Sequence, residues 1–598
     1  MPNNRLQRGI RRKKLRISSL SPIPAYRLKL TFTILCLALL GLIGRLAWLQ
    51  LFEGPYLEAR ARDFQTRKVE PLGGRRSIVD RKGRLIALDE KRFRLYAHPR
   101  QFKFSGDLQG VSRTPFEVAK KLSAPLSLST YQLVDILGNE RSGVKLAENI
   151  STETASEIRR LRINGLDLEP YLQRVYPQND LFANVVGFLD YDRNPQAGLE
   201  LSLNKRLSRR EKTRKLRYGR DGTPLPNDIE PGVFFEDDLR LELTIDARLQ
   251  EVALNAIKDQ LDEWRAEKAV AIVMNVDNGE LIALASAPTY NPNKYWEYSS
   301  ALYKEWSVQE LFEPGSTFKP INLALALQEG VINPDGIVYD SGSVNVGGWS
   351  LGNWNNKPNG VINYAKVLQV SSNVGMVKIM QKLNRSTHWE WLQKLGVDQR
   401  PATDLLGAIG GQLKSKELFV DQPIHQAVAS FGQGFSITPL KLAQLHALIA
   451  NGGRLVTPHI TKGFNGSVLP LTKKISEKSN HQLLRPEVTE IVLRWMESAV
   501  NSYGKNSVKT DNYRIGGKTG TADQAKDGIY NSKICSFVAI LPIENPRFVV
   551  VVAIDGPKKP YAYGSTVAMP VAKKIIESLI VLEKIPPNTS KNIISSID

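Results

Sequence analysis

The sequence predicts an α+β multidomain protein with three parts in order. These are a single N-terminal transmembrane helix, an elongated mixed pedestal domain, and a larger domain on an antiparallel five-stranded sheet flanked by helices, with a helical subdomain. Three observations lead there. One apolar run, Leu30 to Leu51, spans about 33 Å as a helix at ~1.5 Å per residue, enough to cross a bilayer. Two apolar hairpin patterns stand at opposite ends of residues 241–585, with helical patterns between them. At 598 residues the chain also exceeds one ordinary core.

Residues 1–29 form a basic tail with nine Lys/Arg and no acid, including Arg11-Arg12-Lys13-Lys14. Cations beside an apolar helix hold that end in the cytoplasm, so the N-terminus is expected inside and everything after residue 51 outside. The run continues through Trp48-Leu-Gln-Leu51, which favours a retained single-pass anchor over a cleaved signal peptide. Arg45 interrupts it and has two readings, snorkelling to the headgroups or pairing with another membrane protein's helix. Cys36 follows Thr33-Ile34-Leu35, which lacks the small residues of a lipid-attachment site. Cys36 and Cys535 are the only cysteines and lie too far apart in kind and place to bridge, so the fold needs no disulfide.

The net charge of +21 raises nucleic acid as a partner, but its distribution argues against one. The tail carries much of the excess and a second cluster sits at Arg206–Arg220, an arrangement suited to an anionic membrane or wall polymer.

Residues 52–240 read as a non-catalytic domain of short strands and helices. Gly74-Arg75-Arg76, Asp80-Arg81-Lys-Gly83, Arg174-Val-Tyr-Pro177 and Gly198-Leu-Glu200 are its landmarks, each taken singly as turn and packing chemistry. Pro226–Asp238, with two prolines and five acids, reads as the linker. In residues 241–585, Leu243-Thr-Ile-Asp246 precedes a helix over Leu249–Leu261. A hairpin follows: Ala269–Asn275, a turn at Asp277-Asn278-Gly279, then Leu281–Ala285. A second joins Ser536–Leu541 to Phe548–Ile554 through Asn545-Pro546, and Val571–Leu582 closes the domain as a helix. Residues 586–598 are expected to be a flexible tail.

Three motifs carry chemistry: Ser316-Thr-Phe-Lys319, Ser371-Ser-Asn373 and Lys518-Thr519-Gly520. None decides alone. Ser-x-x-Lys recurs at Ser142/Lys145, Ser202/Lys205 and Ser502/Lys505, and Ser-x-Asn at Ser202/Asn204, Ser343/Asn345 and Ser590/Asn592. The ordered trio decides. Pro314-Gly315 breaks the chain before Ser316, placing a nucleophile at a helix start where free N–H groups favour negative charge. Lys319 shares its face at i+3 and can take the hydroxyl's proton if burial and a neighbouring cation such as Lys518 keep it neutral. Ser371 offers a hydroxyl for relaying that proton, and Asn373 an amide for lysine and substrate. The glycines around Lys518-Thr519-Gly520-Thr521 allow a peptide to lie alongside as an added strand. Lys518, Thr519 and Thr521 would then bind its terminal carboxylate, and the backbone N–H groups of Ser316 and Thr521 form the natural oxyanion hole.

Glu313-Pro-Gly-Ser-Thr-Phe-Lys-Pro320, Ser371-Ser-Asn-Val-Gly375 and Gly517-Lys-Thr-Gly-Thr-Ala522 resemble the active-site boxes of class B penicillin-binding proteins, the peptidoglycan D,D-transpeptidases. Leu243-Thr-Ile-Asp246, Gly432-Gln-Gly434 with Thr438-Pro439, and Arg75…Asp80-Arg81 resemble landmarks of that family outside the site. Arg76 departs from it, standing where glycine is usual.

The resemblance implies a pedestal of dimerisation type at 52–240 and a penicillin-binding transpeptidase domain at 241–585. It implies that Ser316 is acylated by the D-Ala-D-Ala end of one stem peptide, that an amine of a neighbouring stem completes the cross-link, and that β-lactams acylate Ser316. No metal or organic cofactor is expected. Glu313 and Ser372-Asn373 resemble division-type members, implying septal synthesis beside a separate membrane glycosyltransferase of the division machinery. An elongation-type transpeptidase, a catalytically quiet scaffold and a β-lactam sensor are the competing readings.

Overall fold

The computed structural model describes residues 24–69, 74–104, 114–138, 143–209, 214–217, 239–464, 467–468, 481–504, 507–526 and 529–588. Most of the basic tail, the linker Pro226–Asp238 and residues 589–598 lie outside them, as do Ser142, Lys505, Ser590 and Asn592 of the alternative motifs. The chain forms two compact units, Met1–Pro71 with Glu211–Phe235, and Leu72–Arg210 with Glu236–Asp598.

In the first unit the apolar helix is longer than the run that announced it. It covers Ala25–Trp48, passes through a π-helical turn at Leu49–Glu53, and continues as Gly54–Gln65. Pro55 has no N–H to give, and the widened turn lies directly before it. The same turn brings Glu53 back toward the preceding helix. Its Oε1 accepts from Trp48 Nε1 at 3.1 Å and lies 3.4 Å from Arg45 Nη1. Arg45 therefore has a partner eight residues along its own chain, a reading the sequence had not offered. Thr66–Val69 pairs antiparallel with Arg214–Arg217.

The second unit holds two large sheets, of seven and five strands among the described residues, beside several two-stranded pairs. The long strand Leu85–Ala97 pairs with Ile78–Val79, Val144–Ile150 and Leu166–Val175. Helices Pro115–Leu126, Thr130–Leu137 and Thr152–Arg160 begin at Thr114, Ser129 and Ser151, whose hydroxyls accept the first free N–H groups. They pack Val118, Leu122, Leu133 and Ile158 on Phe93 and Leu95. The sheet does not stop at the expected boundary near residue 240. Ile78–Val79 pairs parallel with Leu241–Leu243, which pairs in turn with Thr461–Phe464.

The pedestal landmarks are not separate turns. Glu200, fully buried, accepts from Arg75 Nε at 2.5 Å and from Arg174 Nε at 2.8 Å. Asp89 takes the other side of Arg174 at 3.2 Å and Arg193 at 2.7 Å. Burial alone would weaken the charge on Arg174, but the carboxylates of Glu200 and Asp89 hold it protonated. Arg76, the departure from the family pattern, binds the carbonyl of Arg206 and lies over the Phe464 ring at 5.6 Å. Asp80 closes its own turn by accepting from Lys82 N and Arg84 N at 2.8 Å, and its other oxygen accepts from Ala247 N at 3.1 Å. Arg81 reaches Glu583 at 3.0 Å.

The second sheet has five antiparallel strands in the order Leu281–Ala287, Lys268–Asn275, Phe548–Asp555, Ile529–Leu541, Gly516–Lys526. Both expected hairpins are present, each longer than its sequence pattern. Gly279 at φ +80 turns the first, where a Cβ would lie 2.2 Å from Thr457 O. Leu281–Ala287, Lys268–Asn275 and Phe548–Asp555 are almost wholly apolar because both of their faces are covered. Ala269, Ala271 and Val273 pack toward helices Ala247–Trp264 and Met569–Leu582, while Val270, Ile272 and Met274 join the core around helices Lys319–Gln328 and Pro439–Ala450.

Candidate active site

The three motifs meet where the second core reaches the last strand of the sheet. Gly315, at φ +54, turns the chain and donates its N–H to Gly432 O at 2.8 Å. A Cβ on Gly432 would stand 2.1 Å from Gly315 O, so the Gly432-Gln-Gly434 loop fits this turn only with glycine there. Gly434 N also binds Glu313 Oε1 at 3.0 Å. Ser316 sits in a 3-10 turn, Gly315–Phe318, and the α-helix proper starts at Lys319. The helix-start position expected for Ser316 thus holds, with a tighter first turn closed by Thr317 Oγ1 on Pro314 O at 2.6 Å.

Lys319 is fully buried. Its Nζ binds Ser371 O at 2.7 Å, Asn373 Oδ1 at 2.8 Å and Ser371 Oγ at 3.2 Å. Ser371 Oγ lies 3.0 Å from Ser316 Oγ and 3.1 Å from Lys518 Nζ. From its i+3 position Lys319 was expected to reach Ser316 from the next turn. The hydrogen bonds described run through Ser371 instead. A hydroxyl has one hydrogen and two lone pairs, so the three partners of Ser371 Oγ use its full capacity.

Burial pushes Lys319 well below the ordinary lysine range, the charge of Lys518 pushes it further, and Asp340 opposes both. Burial also lowers Lys518, against the pull of Tyr503. The neutral lysine that the chemistry needs is therefore favoured by two independent causes.

Lys518 Nζ also binds Thr519 O at 2.9 Å. Thr519 Oγ1 meets Tyr503 OH at 3.3 Å, and Thr521 Oγ1 accepts from Gly564 N at 3.0 Å. Gly520 lies against the nucleophile turn, where a Cβ would be 2.9 Å from Thr317 Cγ2 and 2.4 Å from Ser536 Oγ. Gly315 packs on Ala522 and Thr521, which sets Ser316 beside the strand as an oxyanion hole made from Ser316 and Thr521 requires. Gly516–Lys526 is the last strand of the sheet, so its outer edge suits an added peptide strand. Among the described residues no group of three or more His, Cys, Asp or Glu is placed to hold a metal.

Other residues of the site gave no local signal. Tyr503 follows a helix and carries no motif. Asp340 and Asn353 hold the second motif from strands and loops, 32 and 20 residues before the groups they bind. Of the competing pairs, Ser202 and Lys205 lie on short helices of residues 198–207, and Ser343 and Asn345 on a strand whose partner residue Gly352 accepts from Asn373 Nδ2 at 3.1 Å; none of their side chains is among the hydrogen bonds described around Ser316.

A serine hydroxyl joined through a second hydroxyl to a buried lysine, with another lysine on an edge strand, defines a serine acyltransferase that works through lysine rather than histidine. Its sheet and its motif order place it more narrowly. The chain belongs to the class B penicillin-binding proteins: residues 269–577 match the penicillin binding protein transpeptidase domain, and residues 72–228 the penicillin-binding protein dimerisation domain. It is 36% identical over 571 residues to a peptidoglycan D,D-transpeptidase FtsI homolog of Mesostigma viride, covering 92% of this chain and 94% of that one. The FtsI of Escherichia coli K12 is 28% identical over 572 residues, covering 93% and 92%. A crystal structure of a peptidoglycan synthetase from Bifidobacterium adolescentis superposes with a TM-score of 0.66 at 26% identity, covering 87% of this chain and 97% of the other.

Proposed function

We propose that the protein is a peptidoglycan D,D-transpeptidase of septal wall synthesis. The hydrogen-bonded path Ser316–Ser371–Lys319 carries the proposal, because it couples a nucleophile to a base that burial keeps neutral. A stem peptide lies along the edge of Gly516–Lys526 with its terminal carboxylate at Lys518, Thr519 and Thr521. Ser316 Oγ attacks the D-Ala-D-Ala carbonyl while its proton passes through Ser371 to Lys319. The oxyanion is held by the N–H groups of Ser316 and Thr521. Collapse of the tetrahedral intermediate breaks the amide bond, and the departing D-alanine nitrogen takes the proton. The amine of a second stem peptide then attacks the acyl-enzyme, gives up a proton by the same path and frees Ser316. A β-lactam enters as a mimic of the dipeptide and stays on Ser316.

The septal role is supported by the relatives named FtsI and by the resemblance of Glu313 and Ser372-Asn373 to division-type members. Leu30–Leu51, within the long apolar helix Ala25–Phe64, anchor the chain in the cytoplasmic membrane with the basic end inside, and the catalytic domain works outside. We assign the pedestal to 52–240 and the transpeptidase domain to 241–585. A membrane glycosyltransferase of the division machinery supplies the glycan strands, meeting the anchor and the pedestal. Depletion in the native cell tests this: septation stops while growth continues, and a tagged copy gathers at midcell. Rounded cells with normal septa would assign the protein to elongation.

A further inference from the structure

We infer that Asp340 is a positioning residue for the second motif and, through the hydrogen-bonded path that leads from it to Lys319, the fixed negative charge that supports the protonated form of that lysine. Asp340 ends the strand Ile337–Asp340 and is fully buried. A buried carboxylate ordinarily sits beside a cation. This one is held by neutral donors only: Gly342 N at 2.9 Å, Asn353 Nδ2 at 2.9 Å, Asn359 Nδ2 at 2.6 Å and Ser372 Oγ at 2.6 Å.

Two of these donors lead into the site. Ser372 Oγ caps the helix Asn373–Met380 by accepting from Gly375 N at 2.8 Å. Asn353 Oδ1 accepts from Asn373 N at 2.9 Å and Val374 N at 3.2 Å. Asn373 Oδ1 then accepts from Lys319 Nζ at 2.8 Å. Asp340 therefore fixes the backbone that carries Asn373, and through it the base. The same anchor holds the segment in which Ser371 takes φ +55, a conformation strained for a non-glycine residue that needs neighbours to impose it.

The charge matters separately from the contacts. Lys319 and Lys518 are both buried and both meet Ser371 Oγ, so each opposes protonation of the other. The negative charge of Asp340 acts in the opposite sense on Lys319. Around this group stand Tyr503 against Lys518, Glu313 on the nucleophile turn, and Lys378, whose Nζ binds Tyr339 O at 2.8 Å on the exposed side. Hydrogen bonds from Ser372, Asn359, Gly342 and Asn353 outweigh burial and keep Asp340 ionised, so it acts as a constant charge through the neutral range.

This inference rests on the proposed acylation of Ser316. The test measures the rate of acylation of the full-length protein by a fluorescent penicillin against pH, for wild type, Asp340→Asn and Ser372→Ala. Removing the negative charge lowers the Lys319 pKa, so the acid limb of the Asp340→Asn profile moves to lower pH. Its plateau falls ~10-fold or more as Asn373 loses its fixed place. Ser372→Ala keeps the charge and breaks the contacts of that hydroxyl with Asp340 and Gly375 N, so its plateau falls with the limb unmoved. An unmoved limb in Asp340→Asn, or a Ser372→Ala limb displaced equally far, overturns the inference. If Asp340→Asn does not fold, Asp340→Glu keeps the charge and displaces the contacts, so its plateau falls with the limb unmoved; an unchanged plateau or a displaced limb there overturns the inference too. A wild-type protein that takes up no penicillin refutes the transpeptidase reading instead.

Discussion

Ser371 Oγ stands 3.0 Å from Ser316 Oγ, and Ser371 holds that place with a left-handed backbone, φ +55. This conformation turns its carbonyl onto Lys319 Nζ at 2.7 Å while its hydroxyl faces the nucleophile. One residue thus holds Lys319 with its main chain and Ser316 with its side chain, as the proposed roles of base and nucleophile require.

Ser371→Ala removes the hydroxyl and leaves the carbonyl contact. Acylation by a β-lactam should fall ~10²-fold or more, the usual weight of proton transfer in the transition state. Stopped-flow labelling within a few-fold of wild type would show that Lys319 takes the proton without a relay.

Lys319→Arg keeps the charge but cannot give it up, since guanidinium stays protonated. Labelling should be lost while mass spectrometry of the wild-type adduct places the added mass on the Ser316 peptide. An adduct at Ser202 or Ser502 would refute the assignment.

Lys518→Ala removes the neighbouring cation that helps to lower Lys319. The Lys319 pKa then rises, less of the base is neutral at a given pH, and the acid limb of the acylation profile moves to higher pH. A limb displaced to lower pH would mean that Lys319 is not the titrating base.

Gly520→Ala places a Cβ 2.4 Å from Ser536 Oγ and 2.9 Å from Thr317 Cγ2. The strand or the nucleophile turn must shift, at about 1–3 kcal/mol of stability and ~10-fold or more in acylation. Denaturant titration and labelling on one preparation measure both.

Glu200→Ala strips the shared partner from Arg75 and Arg174, leaving two buried guanidinium groups short of a carboxylate. A loss of about 3–5 kcal/mol is expected. An unfolding midpoint equal to wild type would show that Asp89 and the backbone satisfy both arginines.

The parts legible in the sequence were those with a local cause. Apolar runs broken at Asp277-Asn278-Gly279 and Asn545-Pro546 gave a strong hairpin signal, and both hairpins are present. The motifs could be read because each pairs a reactive group with glycine, proline or a capping residue nearby. Asp340, Asn353 and Tyr503 could not, since their work lies in hydrogen bonds between segments distant in the chain. Arg75, Arg174 and Glu200 were visible one by one, but nothing in their spacing, 99 and 26 residues, says that two arginines share one carboxylate. The anchor ran past Leu51 because a π-helical turn carries the ladder over Gly54-Pro55, where a break was the simpler expectation.

The strand Leu241–Leu243 has Ile78–Val79 along one side, and the helix behind the catalytic sheet starts with its Ala247 N–H on Asp80. A chain cut at residue 240 would keep every motif and still be maimed. Its leading strand would show water a bare edge ready to stick to other copies, its first helix would lose an acceptor, and Glu583 would lose Arg81. Modular exchange of the pedestal between relatives is therefore closed at this seam unless residues 75–81 travel with the catalytic half. The seam also makes the pedestal a lever: a push that displaces Asp80 moves the start of the helix on which the catalytic sheet rests.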